Sequence, residues 1–120
     1  MAAGTYNFEI EQGATFSRVI TYKDSQGEII PLFGAQARMD LKLQKSDQAT
    51  ILALRSDDDS PMIIINRGKG TLTLNIPRAS TEDLNFNKAY YDLELEFPNG
   101  TVVRILEGRV TLSKQTTGDQ

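Results

Sequence analysis

Carboxylates offer the chain its first route to chemistry. Asp57, Asp58 and Asp59 follow one another between Ser56 and Ser60-Pro61. Calcium takes several oxygens at about 2.3–2.6 Å, so an acidic trio is a candidate for it. No glycine follows the trio and no glutamate stands at the twelfth position, so the spacing of a calcium loop is missing. Three consecutive side chains also point in different directions, and a solvated loop is the plainer reading. Asp92, Glu94 and Glu96 form a second set, at alternate positions of one run. A glycosidase uses two carboxylates across a cleft, with pKa values held apart. This row lies on the open face of a hairpin with Arg104 opposite, which describes a sheet surface. Arg67-Gly68-Lys69-Gly70 is a candidate phosphate cradle, but a P-loop opens a helix and this segment precedes a strand pattern. It reads as a hairpin turn. Serine and threonine nucleophiles have no histidine to activate them, and no arrangement suggests a lysine or terminal amine in its place.

Composition narrows the field further. A chain of 120 residues is long enough for one domain with a real core. It has neither Cys nor His, which removes disulfides, thiolate nucleophiles, zinc–sulfur sites and the commonest general base. Thirteen Lys plus Arg against sixteen Asp plus Glu give a net charge of −3. That balance argues against holding nucleic acid by neutralising phosphates. The apolar run Met62–Ile65 is far shorter than the roughly 20 residues of a membrane helix. The opening MAAGTYNFEIEQ lacks the basic and apolar regions of a signal peptide. The expectation is a non-enzyme with no cofactor, no metal, no nucleic-acid or membrane partner and no small-molecule substrate.

Short alternating runs separated by turn signals every 8–15 residues must position these groups, and that spacing predicts a sandwich or barrel. Residues 1–120 read as a single domain, with 1–4 and 115–120 as flexible ends. Tyr6–Glu11 places Tyr6, Phe8 and Ile10 on one face. Thr15–Lys23 follows, then a hairpin loop over Asp24–Gly27. Pro31 makes Glu28–Leu32 an edge segment or crossing loop. Ala35–Leu43 turns Ala37, Met39, Leu41 and Leu43 one way and Arg38, Asp40 and Lys42 the other. Ile51–Leu54 and Met62–Asn66 are short strands, and Thr71–Ile76 points Leu72, Leu74 and Ile76 inward. Ala79–Leu84 is the one helical turn, with Ser80 as N-cap and Asp83 three residues on, favouring the turn's positive end.

Tyr90–Phe97 alternates again, ending at Pro98-Asn99-Gly100. Proline presets the turn and Gly100 supplies the left-handed residue of a type I turn with a G1 bulge. Phe97 then pairs with Thr101, Leu95 with Val103, Glu94 with Arg104 and Leu93 with Ile105. Val102 and Leu106 point outward in this register, and Gly108 allows a kink. Tyr90 and Tyr91 divide into one core and one rim residue. One of them is a candidate for a hydrogen bond back across the preceding turn, as in a tyrosine corner. Met62–Ile65 has no alternation, so one face of it reads as an interaction surface. The candidate interface residues are Ile63, Ile65, Val102 and Leu106. Lysine at Val102 and Leu106 is expected to abolish assembly and spare folding.

Tyr90-Tyr91-Asp92-Leu93-Glu94-Leu95, the turn, and then Arg104–Ser113 (RILEGRVTLS) resemble a family of small tailed-phage proteins. Ile10–Phe16 (IEQGATF), Ala37-Arg38-Met39 and Gly70–Leu74 before a helical turn fit the same pattern, so the resemblance covers about residues 6–113. The family is similar to the β-sandwich domains of phage tail proteins, including those of the collar where tail fibres attach. The resemblance implies an all-β, Ig-like antiparallel β-sandwich with one short helical turn. It also implies a structural virion protein in the tail tip or baseplate collar, acting as an adaptor for tail fibres. Its partners would be further copies of itself, in a ring or multimer, and the tail tube, baseplate and fibre proteins. The family carries no catalytic residues to transfer. The alternative is a head decoration or neck protein, or a receptor- or glycan-binding module, for which Tyr22, Phe33 and Tyr90 are the exposed aromatics on offer.

Overall fold

The computed structural model describes residues 4–24 and 26–116. Nine strands and one helical turn run in the order β1 (Gly4–Thr5), β2 (Phe8–Glu11), β3 (Phe16–Thr21), β4 (Gln36–Lys42), β5 (Leu52–Arg55), β6 (Ile63–Asn66), β7 (Thr71–Ile76), α1 (Arg78–Glu82), β8 (Lys88–Glu96) and β9 (Val102–Ser113). They form two sheets, one ordered β1-β9-β8-β4-β5 with β2 also on β9, the other β3-β7-β6. The fold is an all-β, Ig-like sandwich. β3, β7 and β6 take the places of strands B, E and D, and β9, β8, β4 and β5 those of G, F, C and C′. Pairing is antiparallel except where β1 and β2 run parallel to β9. No helix among the described residues is long and apolar enough to cross a membrane.

Alternation builds the core. Ala37, Met39 and Leu41 of β4, Leu72, Leu74 and Ile76 of β7, and Tyr91, Leu93 and Leu95 of β8 all face inward as expected. Leu43 does not, because the chain leaves the sheet after Lys42, and its side chain is exposed. The run Tyr6–Glu11 is broken. Tyr6 and Asn7 lie between β1 and β2, so Tyr6 is exposed while Phe8 and Ile10 are buried. Gly4 pairs with Leu106, and the Gln115 N–H donates to Gln12 Oε1 at 2.9 Å, so neither is a loose end. Thr116 is exposed, and residues 1–3 and 117–120 of the two expected flexible ends fall outside the described residues. So does Ser25 of the first hairpin loop, whose neighbour Gly27 takes φ 80°.

The Pro98–Gly100 hairpin forms as read. Gly100 has φ 89°, the Phe97 N–H donates to the Thr101 carbonyl, and Glu94 pairs with Arg104 and Leu95 with Val103. Beyond that point a bulge intervenes. Leu93 pairs with Leu106 instead of Ile105. A bulge sets two residues of one strand against one of the other, and both then lean to the same face. Ile105 and Leu106 therefore both turn toward the core.

The helical turn starts earlier than its expected cap. Pro77 occupies the N-cap position with φ −68° and no side-chain hydrogen bond, and its carbonyl accepts from the Ser80 and Thr81 N–H groups. Ser80 is thus inside the turn, and Asp83 sits at its C-cap rather than at the positive end. What fixes the turn is Thr81, the one fully buried polar side chain among the described residues. Its hydroxyl donates to the Ala14 carbonyl at 2.8 Å and accepts from the Gly13 N–H at 3.1 Å. Thr81→Val keeps the shape and strands both backbone groups. The expected cost is about 1–3 kcal/mol in urea denaturation, with Thr81→Ser recovering most of it.

Candidate interaction surfaces

The four expected interface residues do not share a surface. Ile63 is 0 % exposed and pairs with Leu74, so it belongs to the core. Ile65 pairs with Leu72 and is half-buried on the same inner side. Leu106 is half-buried against the core because of the bulge. Lysine there would therefore cost folding as well as contacts. Only Val102, opposite Glu96 and 45 % exposed, stands outside as expected. The strand parity at Met62–Ile65 is set by pairing with β7, which turns Ile64 outward, where it is exposed.

Ile64, Thr73 and Val19 then form one row across the outer face of the three-stranded sheet. Ser17, Thr21, Thr71, Asn75 and Asn66 complete that face, and none of these residues is charged. The outer face of the larger sheet is the opposite. Arg38 bridges Glu94 at 3.0 Å and Glu96 at 3.5 Å, Arg55 bridges Asp40 at 2.8 Å, and Arg104 reaches Asp92 at 3.6 Å and Glu107 at 3.4 Å. Glu94 thus pairs in register with Arg104 yet takes its charge partner from β4. These exposed pairs each contribute roughly 0–1 kcal/mol.

The register also sets Asp40 against Asp92 and Asp92 against Glu107, three acids in a row over a shallow cleft of about 200 Å³. Burial raises the Asp92 pKa, and Glu94 and Asp40 add to the rise while Arg104 and Lys42 oppose it. A carboxylate raised on folding loses stability as the pH climbs from its unfolded value through its folded one. The stability of Asp92→Asn relative to the natural chain is therefore expected to increase as the pH rises from about 3.5 to 7. Urea midpoints at both pH values check this; a constant difference would show that Asp92 titrates as it does unfolded.

Asp57, Asp58 and Asp59 are exposed. Among the described residues no three acidic, His or Cys side chains are arranged to hold a metal. Arg67–Gly70 is the β6–β7 turn, and Gly70, at φ 64°, is followed by a strand. Tyr91 is the core tyrosine and Tyr90 the rim one. The Tyr91 hydroxyl donates to the Tyr6 carbonyl at 2.6 Å, on the segment joining β1 to β2. It does not reach back across the preceding turn, so this is not a tyrosine corner. Burial, then Tyr6 and Glu107, holds the Tyr91 phenol well above its ordinary pKa, so it remains a donor.

Of the three aromatics expected to be exposed, Phe33 is so, while Tyr22 and Tyr90 are half-buried. Leu32 is fully buried, and the Ala35 N–H donates back to the Leu32 carbonyl at 3.1 Å, closing a turn with Phe33 and Gly34 at its centre. Gly34 takes φ 76°, which suits the third position of a type II turn. A Cβ there would lie 2.6 Å from Pro98 Cγ, so the turn rests on the β8–β9 hairpin. Arg67 fastens it on the other side: its carbonyl accepts from the Leu32 N–H at 3.1 Å and its guanidinium donates to the Ala35 carbonyl at 3.0 Å. Phe33 has no way inward and stands 68 % exposed, the most exposed large apolar side chain described. Ile29, exposed beside Gly70, and Val102, just past the hairpin, lie at the same end of the sandwich. Neither a protein-family model nor a curated protein matches the chain.

Proposed function

We propose that this protein is a structural interaction module, a virion component of a tailed phage that acts in the tail tip or baseplate collar as an adaptor for tail fibres. The observation that carries the interaction reading is Phe33 held outward on a turn clamped by Leu32, Arg67 and Pro98. An exposed aromatic that is already ordered loses little entropy on binding, and rigid aromatic anchors dominate interface energies. The resemblance of residues 6–113 to phage β-sandwich proteins supplies the setting. Repeated copies in a ring would add weak contacts into avidity. The neutral outer face of β3, β7 and β6 suits packing between copies, since no charge must be stripped of water.

Gold-labelled antibody imaging of intact particles tests the setting. Label at the far end of the tail is the expected result. Label on the head or neck would favour a decoration role and overturn the collar, and particles without label would remove the virion reading.

A further inference from the structure

Among the described residues the sandwich is open along one side. β9 pairs with β8 along most of its length, but on its other edge β1 covers only Leu106–Glu107 and β2 only Val110–Ser113. Among the described residues no strand pairs with Val102–Ile105 on that edge. Across the gap, β3 pairs with β7 alone among the described residues, which leaves its outer edge without a described partner as well. In an Ig-like sandwich strand A flanks strand B in the four-stranded sheet. Here β1 and β2 both go to β9, and nothing described takes that place.

Between the two free edges lies a cleft of about 350 Å³. Ile20 and Tyr22 form one wall, and Val103, Ile105 and Leu106 the other. Ile20, Tyr22, Val103 and Leu106 are all only half-buried, so the cleft exposes part of the core. Its rim carries Lys23 and Arg104 and no acidic residue, in a chain whose net charge is −3. Arg104 already has Asp92 and Glu107; Lys23 has no ion pair among the described residues.

We infer that this seam accepts an extended segment of a partner protein, apolar at alternate positions and acidic at its flank. The outward-facing backbone groups of Val102 and Arg104 supply the hydrogen bonds, as in other cases of strand addition to a sheet edge. Four residues at about 3.3 Å each span roughly 13 Å, so a short segment suffices. Its inward side chains fall on Ile20 and Tyr22, and its acidic flank meets Lys23. The cleft does not include Phe33, and the inference does not depend on where the protein works.

Amide hydrogen exchange on the full chain tests it. The probe is a capped octapeptide alternating valine and threonine, with glutamate at both ends. Exchange at the outward-facing amides of Val102 and Arg104 is expected to slow at least tenfold when the peptide is added. Lys23→Glu should weaken the glutamate peptide several-fold and favour the same peptide with lysine ends. Unchanged exchange at Val102 and Arg104, or equal binding of both peptides to Lys23→Glu, would overturn the inference. So would slow exchange in the free chain that becomes fast when Met1–Ala3 are removed, because the chain itself would then fill the seam.

Discussion

Gly108→Ala is expected to destabilise the fold by on the order of 3 kcal/mol, through overpacking and the strain it puts on neighbouring hydrogen bonds. Gly108 pairs with Tyr91, and a Cβ there would run into the Tyr6 carbonyl and lie 2.9 Å from Asn7 Oδ1. The glycine serves close approach of another segment. That segment is fastened by the Tyr6 N–H to the Glu107 carbonyl, by the Arg109 N–H to Asn7 Oδ1, and by the Tyr91 hydroxyl to the Tyr6 carbonyl. All three bonds are strained when the segment is pushed away. Thermal unfolding should fall by roughly 10 °C for a domain of this size. Tyr91→Phe removes one of the same bonds, so the double variant should lose less than the sum of the two. Strict additivity would show that Gly108 and Tyr91 do not act through one carbonyl.

Phe33→Asp should do the reverse, sparing the fold and removing association. The side chain touches little of its own chain, so its loss should change stability by no more than about 0.5 kcal/mol. An aromatic anchor at the centre of an interface is worth about 2 kcal/mol or more, which is roughly a 30-fold loss of affinity. Sedimentation of the isolated protein and its recovery with purified particles separate the two effects. Arg67→Ala is a useful companion, because it frees the turn without touching Phe33. Part of the same loss of binding is expected from it, since the anchor must then be ordered on contact.

Much of the sandwich was legible because side chains alternate with period two and turns name themselves. β4, β7 and β8 follow from their inward rows, and the Pro98–Gly100 turn fixes its hairpin register as far as Glu94–Arg104. The interface was less legible, for local reasons. Met62–Ile65 is apolar at every position, so its own residues do not say which face is out; pairing with Leu72 and Leu74 decides it. Leu106 turns inward only because Ile105 is bulged, and nothing in Arg104–Glu107 announces a bulge. Ser80 lost the cap because Pro77 starts the turn sooner. Phe33 left a signal, a large apolar residue beside glycine in a turn after proline. Its exposure depends on Arg67, 34 positions along the chain, and on the hairpin at Pro98.

The central claim is that the clamped Phe33 turn is the surface through which this module assembles. Radical footprinting compares that turn directly in the isolated protein and in purified particles. Strong labelling of Phe33 in the isolated protein and loss of that label in the assembled state are expected. Phe33 labelled as strongly in particles as in isolation would contradict the claim.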